Sequence, residues 1–197
     1  MSKRLILAST SVFRKAILDK LSLPFETAKP QVDESPLAGE TAIELVERLA
    51  IAKARAVAQE YPDALIIGSD QVALNQEQIL GKPGDHQNAV TQLKNASGKV
   101  VTFYTGLCLY NSANDTYQSL VEPFEVRFKE LSEAQIEGYL KTEQPYQCAG
   151  SFKSEGLGIA LFERLNGRDP NTLIGLPTIS LVELLANEGW DVLESLA

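Results

Sequence analysis

Residues 5–15 constrain the fold of this chain most, because an apolar run passes directly into three hydroxyl residues and then into a basic pair. The apolar run predicts a strand, and the periodicity from Val12 to about Leu21 predicts a helix that Pro24 prevents from continuing. A helix that begins directly after a strand leaves backbone N–H groups free to bind an anion. Arg14, one turn into the helix, would add a charge-assisted contact to a phosphate. Taken alone, the motif favours the simpler interpretation, which is ordinary Ser and Thr capping beside solvated basic side chains.

The rest of the chain alternates strands and helices, without repeats or low-complexity segments. The order combines strand–helix–strand units with one hairpin, which predicts an α/β fold, a mixed twisted sheet with helices on its faces. No composition break marks a boundary, so residues 1–197 are interpreted as one domain, with two lobes around a central cleft as a variant. The predicted helices lie at residues 40–60, 86–96, 132–141 and 178–188, and the predicted strands at residues 64–68, 72–74, 78–80, 100–110 and 116–128.

Charge and cysteine content narrow the class of function. The formal net charge of −8 argues against long nucleic acid as a partner, because that binding needs many cations on one face. A small phosphorylated ligand needs only a few local cations and stays compatible with this charge. No apolar run reaches the length of about 18 residues that a membrane helix needs, so no membrane partner is expected. Cys108 and Cys148 are too few for a disulfide scaffold, which favours reduced thiols and a cytoplasmic location.

Asp70 follows the predicted buried strand at residues 64–68. Open α/β sheets bind ligands at the carboxyl ends of their strands, where this carboxylate could take a proton from water or bind a divalent cation. Gly68 would let a ligand or another backbone approach closely. The alternative is a turn or an Asx cap, and the residues alone favour neither interpretation.

Lys53 interrupts an apolar stripe on the long predicted helix. At about 100° per residue, the other members of the stripe fall on the same helix face. Lysine is rarely buried without a partner, so Lys53 either extends past the core edge or points into a site that holds negative charge. We favour the second interpretation. The other members of the stripe are Val46, Leu49, Ala50 and Val57.

Three loops carry further charged residues. Glu34 follows Asp33, Lys82 stands between a glycine and a proline, and Glu155 lies between two glycines in residues 150–156. Each loop taken alone is typical of a turn. Together they supply the cations, carboxylates and hydroxyls that a metal-assisted phosphate site needs.

These motifs, taken in order, resemble the Maf family of nucleoside triphosphate pyrophosphatases. The resemblance covers residues 5–177, and several short motifs in register are more specific than any one of them. It implies a Maf and ITPase-like fold, a nucleoside triphosphate substrate cleaved between its α- and β-phosphates, and a homodimer. The motifs are Leu7-Ala8-Ser9-Thr10-Ser11 with Arg14, Val32-Asp33-Glu34, Ala52-Lys53-Ala54, Gly68-Ser69-Asp70, Gly81-Lys82-Pro83, Thr105-Gly106 and Gly175-Leu176-Pro177.

The resemblance also implies roles for individual residues. Asp70 would be the general base that deprotonates the attacking water. Glu34 would join Asp70 in binding Mg²⁺ or Mn²⁺, with Co²⁺ as a further candidate, because oxygen ligands suit hard cations. The remaining implied ligands, which would hold the phosphates and neutralise their charge, are Ser9, Arg14, Lys53 and Lys82.

At three positions the chain departs from family members that hydrolyse dTTP and UTP, and there it resembles the subgroup that hydrolyses 7-methyl-GTP. These residues are Phe13, Gln71 and Glu155. The methylated guanine carries a positive ring charge that an aromatic face attracts, and Glu155 could pair with that charge or accept from base donors. Gln71 could contact the base edge. Two alternatives stay open: another nucleotide such as dTTP or UTP, and a nucleotide-binding regulator of cell division.

Overall fold

The computed structural model describes residues 4–196. Within this range the strands are β1 (Arg4–Ala8), β2 (Glu26–Ala28), β3 (Ala64–Asn75), β4 (Gln78–Leu80), β5 (Val100–Asn111), β6 (Thr116–Phe128) and β7 (Phe162–Asn166). They form one sheet in the order β2-β1-β3-β5-β6-β7, with β4 paired to β3. β1 runs parallel to β2 and β3, whereas β4 runs antiparallel to β3 and β7 antiparallel to β6. The predicted mixed sheet is confirmed.

The α-helices in residues 4–196 are α1 (Val12–Asp19), α2 (Ala42–Ala58), α3 (His86–Ala96), α4 (Glu133–Glu143), α5 (Pro170–Ile174) and α6 (Thr178–Asn187). A capping box formed by Thr41 and Glu44 begins α2. Asp85 caps α3 by accepting from the Asn88 N–H. None of the helices in the described range is long and apolar enough to cross a membrane.

β3 is longer than the sequence predicts, so the position of the candidate carboxylate, Asp70, differs from the predicted one. The predicted end at Gly68 is wrong, because the strand continues through Ser69, Asp70 and Gln71 to Asn75. Polar side chains interrupt the apolar pattern there, yet each of these three is bonded to another part of the chain. Asp70 therefore lies within a strand and not after its end.

Residue contacts divide the chain into two compact units. The first unit comprises the chain up to Gln71, Thr105–Glu122 and the chain from Asp169 onward. The second unit comprises Val72–Tyr104 and Pro123–Arg168. Each unit has apolar packing of its own, and each carries some of the candidate site residues.

The first unit has an apolar core on each face of its strands. Successive residues of β1 alternate between the two faces, so Leu5 and Leu7 pack with residues of α1 and α6, whereas Ile6 and Ala8 pack with residues of α2. This burial of both faces explains why β1 reads as a continuous apolar run.

The second unit contains a cluster of aromatic rings. Phe152 contacts Phe103, Phe128 and Phe162 edge to face, with ring centroids between 4.8 and 5.7 Å apart. All four side chains are buried. Because Phe152 follows Ser151 directly, this cluster fixes one end of the loop that carries Glu155.

Candidate active site

Lys53 binds two carboxylates in the first unit. Its Nζ lies 2.6 Å from Asp70 Oδ1 and 2.9 Å from Glu34 Oε1. The Lys53 residue is only 6% exposed, and the other members of its predicted helix stripe are also buried. The interpretation that Lys53 points towards negative charge is confirmed. The structure thus brings together three residues that stand far apart in the sequence.

Two glycines let α2 lie close enough for this pairing. A Cβ at Gly68 would lie 2.0 Å from the carbonyl oxygen of Ala50, and a Cβ at Gly106 would lie 2.2 Å from that of Val46. Side chains two apart on a strand share a face, so Asp70 points to the same side as the bare Cα of Gly68. Lys53, one helical turn beyond Ala50, is therefore held against Asp70.

Arg48 anchors the loop that carries Glu34. Its guanidinium bonds to both carboxylate oxygens of Glu40, at 2.5 and 2.8 Å, and donates to the Ser35 carbonyl oxygen. Glu40 also accepts from the Leu37 N–H. The hydrogen bonds from Arg48 lower the pKa of Glu40 to about 2. This carboxylate is therefore ionised at neutral pH, and the loop is closed by a two-point ion pair.

The strand–helix junction uses its own hydroxyls as caps. The Ser11 N–H donates to Ser9 Oγ, and the Arg14 N–H donates to Ser11 Oγ. The capping interpretation is therefore confirmed for Ser11, and two of the N–H groups that could hold an anion are already bonded. Ser9 is buried and its oxygen is an acceptor in this bond. Any phosphate at this junction would meet the hydroxyl hydrogens and the remaining N–H groups.

Arg14 is partly buried and held by the chain, and is not simply solvated. Its Nε donates to the carbonyl oxygen of Gly175 at 2.9 Å, and Ser69 Oγ donates to the same oxygen. Burial lowers the pKa of the Arg14 guanidinium, and the charges of Asp70 and Glu34 act in the opposite direction. Arg14 therefore belongs to the same charged cluster as Lys53, and its remaining N–H groups can serve a phosphate.

Gln71 is fixed by its amide nitrogen. Nε2 donates to Thr105 Oγ1 and to the carbonyl oxygen of Thr172, both at 2.8 Å, and contacts that of Leu173 at 3.2 Å. Thr105 is itself fully buried and donates to Thr172. The predicted contact of Gln71 with a base edge is consequently restricted to its carbonyl oxygen Oε1, which can act only as an acceptor.

The other selected residues are more exposed. Phe13, on the first turn of α1, is 39% exposed. Lys82 and Glu155 are exposed residues of the second unit. Among residues 4–196, Lys82 has no ion-pair partner, whereas Glu155 accepts a long hydrogen bond from the adjacent Ser154 hydroxyl. Their predicted contacts with phosphate and base stay predictions.

The donor set suits a metal ion that arrives with its substrate. Within residues 4–196, no three His, Cys, Asp or Glu side chains form a group that could hold a metal ion on their own. Glu34 and Asp70 supply two carboxylates, and Lys53 binds one oxygen of each. Mg²⁺ commonly binds through one or two carboxylates and completes its shell with water and substrate phosphates. Glu34 and Asp70 fit that pattern, and they do not fit a site in which the protein supplies every metal ligand.

Comparison with known proteins places the chain in a family. Residues 4–188 match the family described as Maf-like protein, so the chain belongs to the Maf family. A relative from Colwellia psychrerythraea, named 7-methyl-GTP pyrophosphatase, is 63% identical over 191 residues, which cover 97% of this chain and 96% of the relative. The solved structure of the Staphylococcus aureus Ham1 protein aligns with 65% of this chain and 73% of its own, at 15% identity and a TM-score of 0.47. Those last values are too low to bear on function.

Proposed function

We propose that this protein is a nucleoside triphosphate pyrophosphatase that hydrolyses the α–β phosphoanhydride of 7-methyl-GTP, releasing 7-methyl-GMP and diphosphate. The observation that carries the proposal is the cluster of Asp70, Lys53, Glu34 and Arg14 in a Maf-family chain. The choice of base is supported by the 63% identity to a protein named for that substrate.

Asp70 supplies the base in this mechanism. Its Oδ1 is bonded to Lys53, whereas Oδ2 accepts no hydrogen bond from residues 4–196. Oδ2 is therefore available to orient a water molecule and take its proton as the water attacks phosphorus. The ion pair fixes the carboxylate in position, so little reorientation is needed at the moment of reaction.

Lys53 and Arg14 neutralise phosphate charge. Both are cations held close to Asp70, and Arg14 keeps guanidinium N–H groups beyond the one bonded to Gly175. Negative charge develops on the leaving diphosphate, and fixed cations stabilise it more effectively than water does. The family resemblance implies Lys82 as a further phosphate-binding cation.

A divalent cation completes the charge balance. Glu34 and Asp70 would hold Mg²⁺ or Mn²⁺, with Co²⁺ as a further candidate, because hard cations prefer carboxylate and phosphate oxygens. When bound, the ion would neutralise part of the triphosphate charge.

Base recognition rests on charge and on hydrogen-bond acceptors. The ring of 7-methylguanine is cationic, which favours the exposed face of Phe13 and the carboxylate of Glu155. The guanine edge also presents N–H donors, which match Glu155 and the fixed Oε1 of Gln71. A neutral uracil or thymine would gain less from a carboxylate.

A diphosphate-release screen tests the proposal. Purified protein would be assayed with 7-methyl-GTP, GTP, dTTP and UTP, each with Mg²⁺, Mn²⁺ or Co²⁺. We expect metal-dependent turnover with the highest kcat/KM for 7-methyl-GTP. Equal kcat/KM values for 7-methyl-GTP and UTP would contradict the base assignment. Nucleotide binding without turnover under any metal would instead favour a regulatory role.

Location and assembly form the remaining parts of the proposal. Free thiols at Cys108 and Cys148 support a cytoplasmic location, where thiols stay reduced. A homodimer is supported by the family resemblance alone. Size-exclusion chromatography with light scattering gives the mass in solution, and a mass of one chain at micromolar concentration would contradict the dimer.

A further inference from the structure

Ser151 has a backbone conformation that usually belongs to glycine. Its φ angle is +64°, and it follows Gly150, whose φ angle is +75°. A side chain other than glycine, asparagine or aspartate is uncommon in this left-handed region. Such a residue persists where its surroundings fix it, and these positions cluster at functional sites. The fully buried hydroxyl of Ser151 therefore needs an explanation.

The explanation lies in Gln92 of α3, which joins two loops. Ser151 Oγ and Gln92 Oε1 lie 2.5 Å apart in a hydrogen bond, and Gln92 Nε2 donates to the carbonyl oxygen of Gly81 at 3.1 Å. Since the Gly81 carbonyl can only accept, the amide has one orientation, and the Ser151 hydroxyl must be the donor. We call this chain of two hydrogen bonds the Ser151–Gln92–Gly81 bridge.

One end of the bridge fixes the loop of Glu155. Beyond Ser151, Phe152 enters the aromatic cluster, and Lys153 Nζ binds the carboxylate and the carbonyl oxygen of Glu143. The Glu143 carboxylate also accepts from the Leu157 N–H. Lys153 is therefore engaged by the protein, whereas the tip of the loop with Glu155 faces solvent.

The other end of the bridge fixes the loop of Lys82. Besides Gly81, this loop is held by a hydrogen bond from Asn88 to the Pro83 carbonyl oxygen and by one from the Gly84 N–H to the Tyr146 carbonyl oxygen. The backbone on both sides of Lys82 is thus anchored while its side chain is exposed.

The charges of Lys82 and Glu155 both act on the thiol of Cys148. Burial raises the pKa of the Cys148 thiol, and the charges of Lys153, Glu155 and Lys82 also act on that thiol. Lys82 and Glu155, one cation and one anion, are therefore within electrostatic reach of the same side chain in the second unit. A nucleotide offers a matching pair of charges when its base is cationic and its phosphates are anionic.

We propose that Gln92 and Ser151 are positioning residues for substrate specificity, which hold the Glu155 loop and the Lys82 loop in a fixed relation to each other. The inference rests on the proposed function, because it takes Glu155 to meet the base and Lys82 the phosphates. Loss of the bridge lets the Glu155 loop move, which weakens selection of the cationic base more than the chemical step.

The test uses variants that remove the bridge at either end. Gln92→Leu keeps the side-chain volume and deletes both hydrogen bonds, and Ser151→Gly deletes the hydroxyl while relieving the left-handed backbone. Gln87→Leu is the matched control, because this residue is exposed on the same helix. Circular dichroism and thermal melting establish that each variant folds. If Gln92→Leu does not fold, Ser151→Gly alone tests the bridge.

The first measurement is the selectivity between two nucleotides. We expect the ratio of kcat/KM for 7-methyl-GTP to that for UTP to fall roughly tenfold in both bridge variants, with kcat for UTP close to that of the starting protein. The double variant would lose no more than either single one, because the residues act through one bridge. Ratios within about twofold of the starting protein and of Gln87→Leu would overturn the proposal.

Amide hydrogen exchange supplies the second readout without substrate. Backbone amides of residues 153–157 should exchange roughly tenfold faster in the bridge variants than in Gln87→Leu. Unchanged exchange would overturn the positioning role even if the protein hydrolyses no 7-methyl-GTP. Faster exchange in a protein without that activity would contradict the proposed function and the specificity claim together, leaving the bridge as a purely structural element.

Discussion

Lys53 Nζ of α2 donates a hydrogen bond of 2.6 Å to Asp70 Oδ1 of β3, and both residues are buried. The contact joins a cation and an anion that would each be costly to bury alone. Because Lys53 fixes the carboxylate through Oδ1, the position of the other oxygen, Oδ2, is fixed as well. The candidate base is thus held by the cation that would serve the phosphates.

Replacing Asp70 tests the base directly. Asp70→Asn keeps the size of the side chain and removes the proton acceptor, so the rate of diphosphate release should fall by roughly 10²–10⁴-fold. Nucleotide binding, measured by isothermal titration calorimetry, should persist. Asp63→Asn is the control, because Asp63 is an exposed carboxylate just before β3. A rate within about threefold of the starting protein would exclude Asp70 as the base.

Removing Lys53 should cost stability as well as activity. Lys53→Met leaves the Asp70 carboxylate buried without its cation, so the free energy of unfolding in urea should fall by about 3 kcal/mol. Adding Asp70→Asn to this variant removes the uncompensated charge and should restore part of the loss. If Lys53→Met unfolds at the same urea concentration as the starting protein, the ion pair does not contribute to stability.

Glu155 tests recognition of the cationic base. Glu155→Gln keeps the shape and removes the charge, so the kcat/KM ratio of 7-methyl-GTP to UTP should fall by roughly 10–150-fold, as for a charge-assisted hydrogen bond. Glu163→Gln, on β7 of the same unit, is the control. Equal loss on both nucleotides would show that Glu155 supports the loop and does not select the base.

The Glu40–Arg48 pair predicts a dependence of stability on pH. The pKa of Glu40 is lowered from 4.5 to about 2 in the folded protein, chiefly by its hydrogen bonds with Arg48. A lowered carboxyl pKa stabilises the fold above the unfolded value, and this contribution disappears as pH falls through the folded value. The stability difference between the starting protein and Glu40→Gln, measured in urea, should therefore be constant near neutral pH. It should shrink between pH 4.5 and about 2, and a difference that stays constant across that window would contradict the pairing.

Residues on regular elements were predictable from the sequence. Lys53 was identifiable because an apolar helix stripe with one cation needs a negative partner, and the structure supplies Asp70. The starts of α2 and α3 were predictable because capping acts locally, between residues three positions apart. The polar residues after Gly68 predict an end of β3 that the structure does not have. They stay in the strand because buried polar side chains can form their hydrogen bonds with residues far away in the sequence.

Other parts of the site depend on contacts that leave no local pattern. The carbonyl oxygens of Thr172 and Gly175 hold Gln71 and Arg14, and a backbone acceptor has no residue signature. Arg48 closes the Glu34 loop through Glu40, which lies eight residues earlier and before the start of α2. This pair falls outside the three- and four-residue spacings that predict ion pairs along a helix. The sequence predicts none of β2, β7 and α5, because these short elements lack an apolar run such as that of β1.

Product analysis of a single reaction tests the central claim most directly. Purified protein, 7-methyl-GTP and Mg²⁺ or Mn²⁺ would be incubated, and the nucleotide, diphosphate and orthophosphate products would be separated by ion-exchange chromatography. Cleavage at the α–β bond predicts equal amounts of 7-methyl-GMP and diphosphate, with no orthophosphate, and the Asp70→Asn variant should form almost none of either. Formation of 7-methyl-GDP with orthophosphate, or no metal-dependent product at all, would contradict the account.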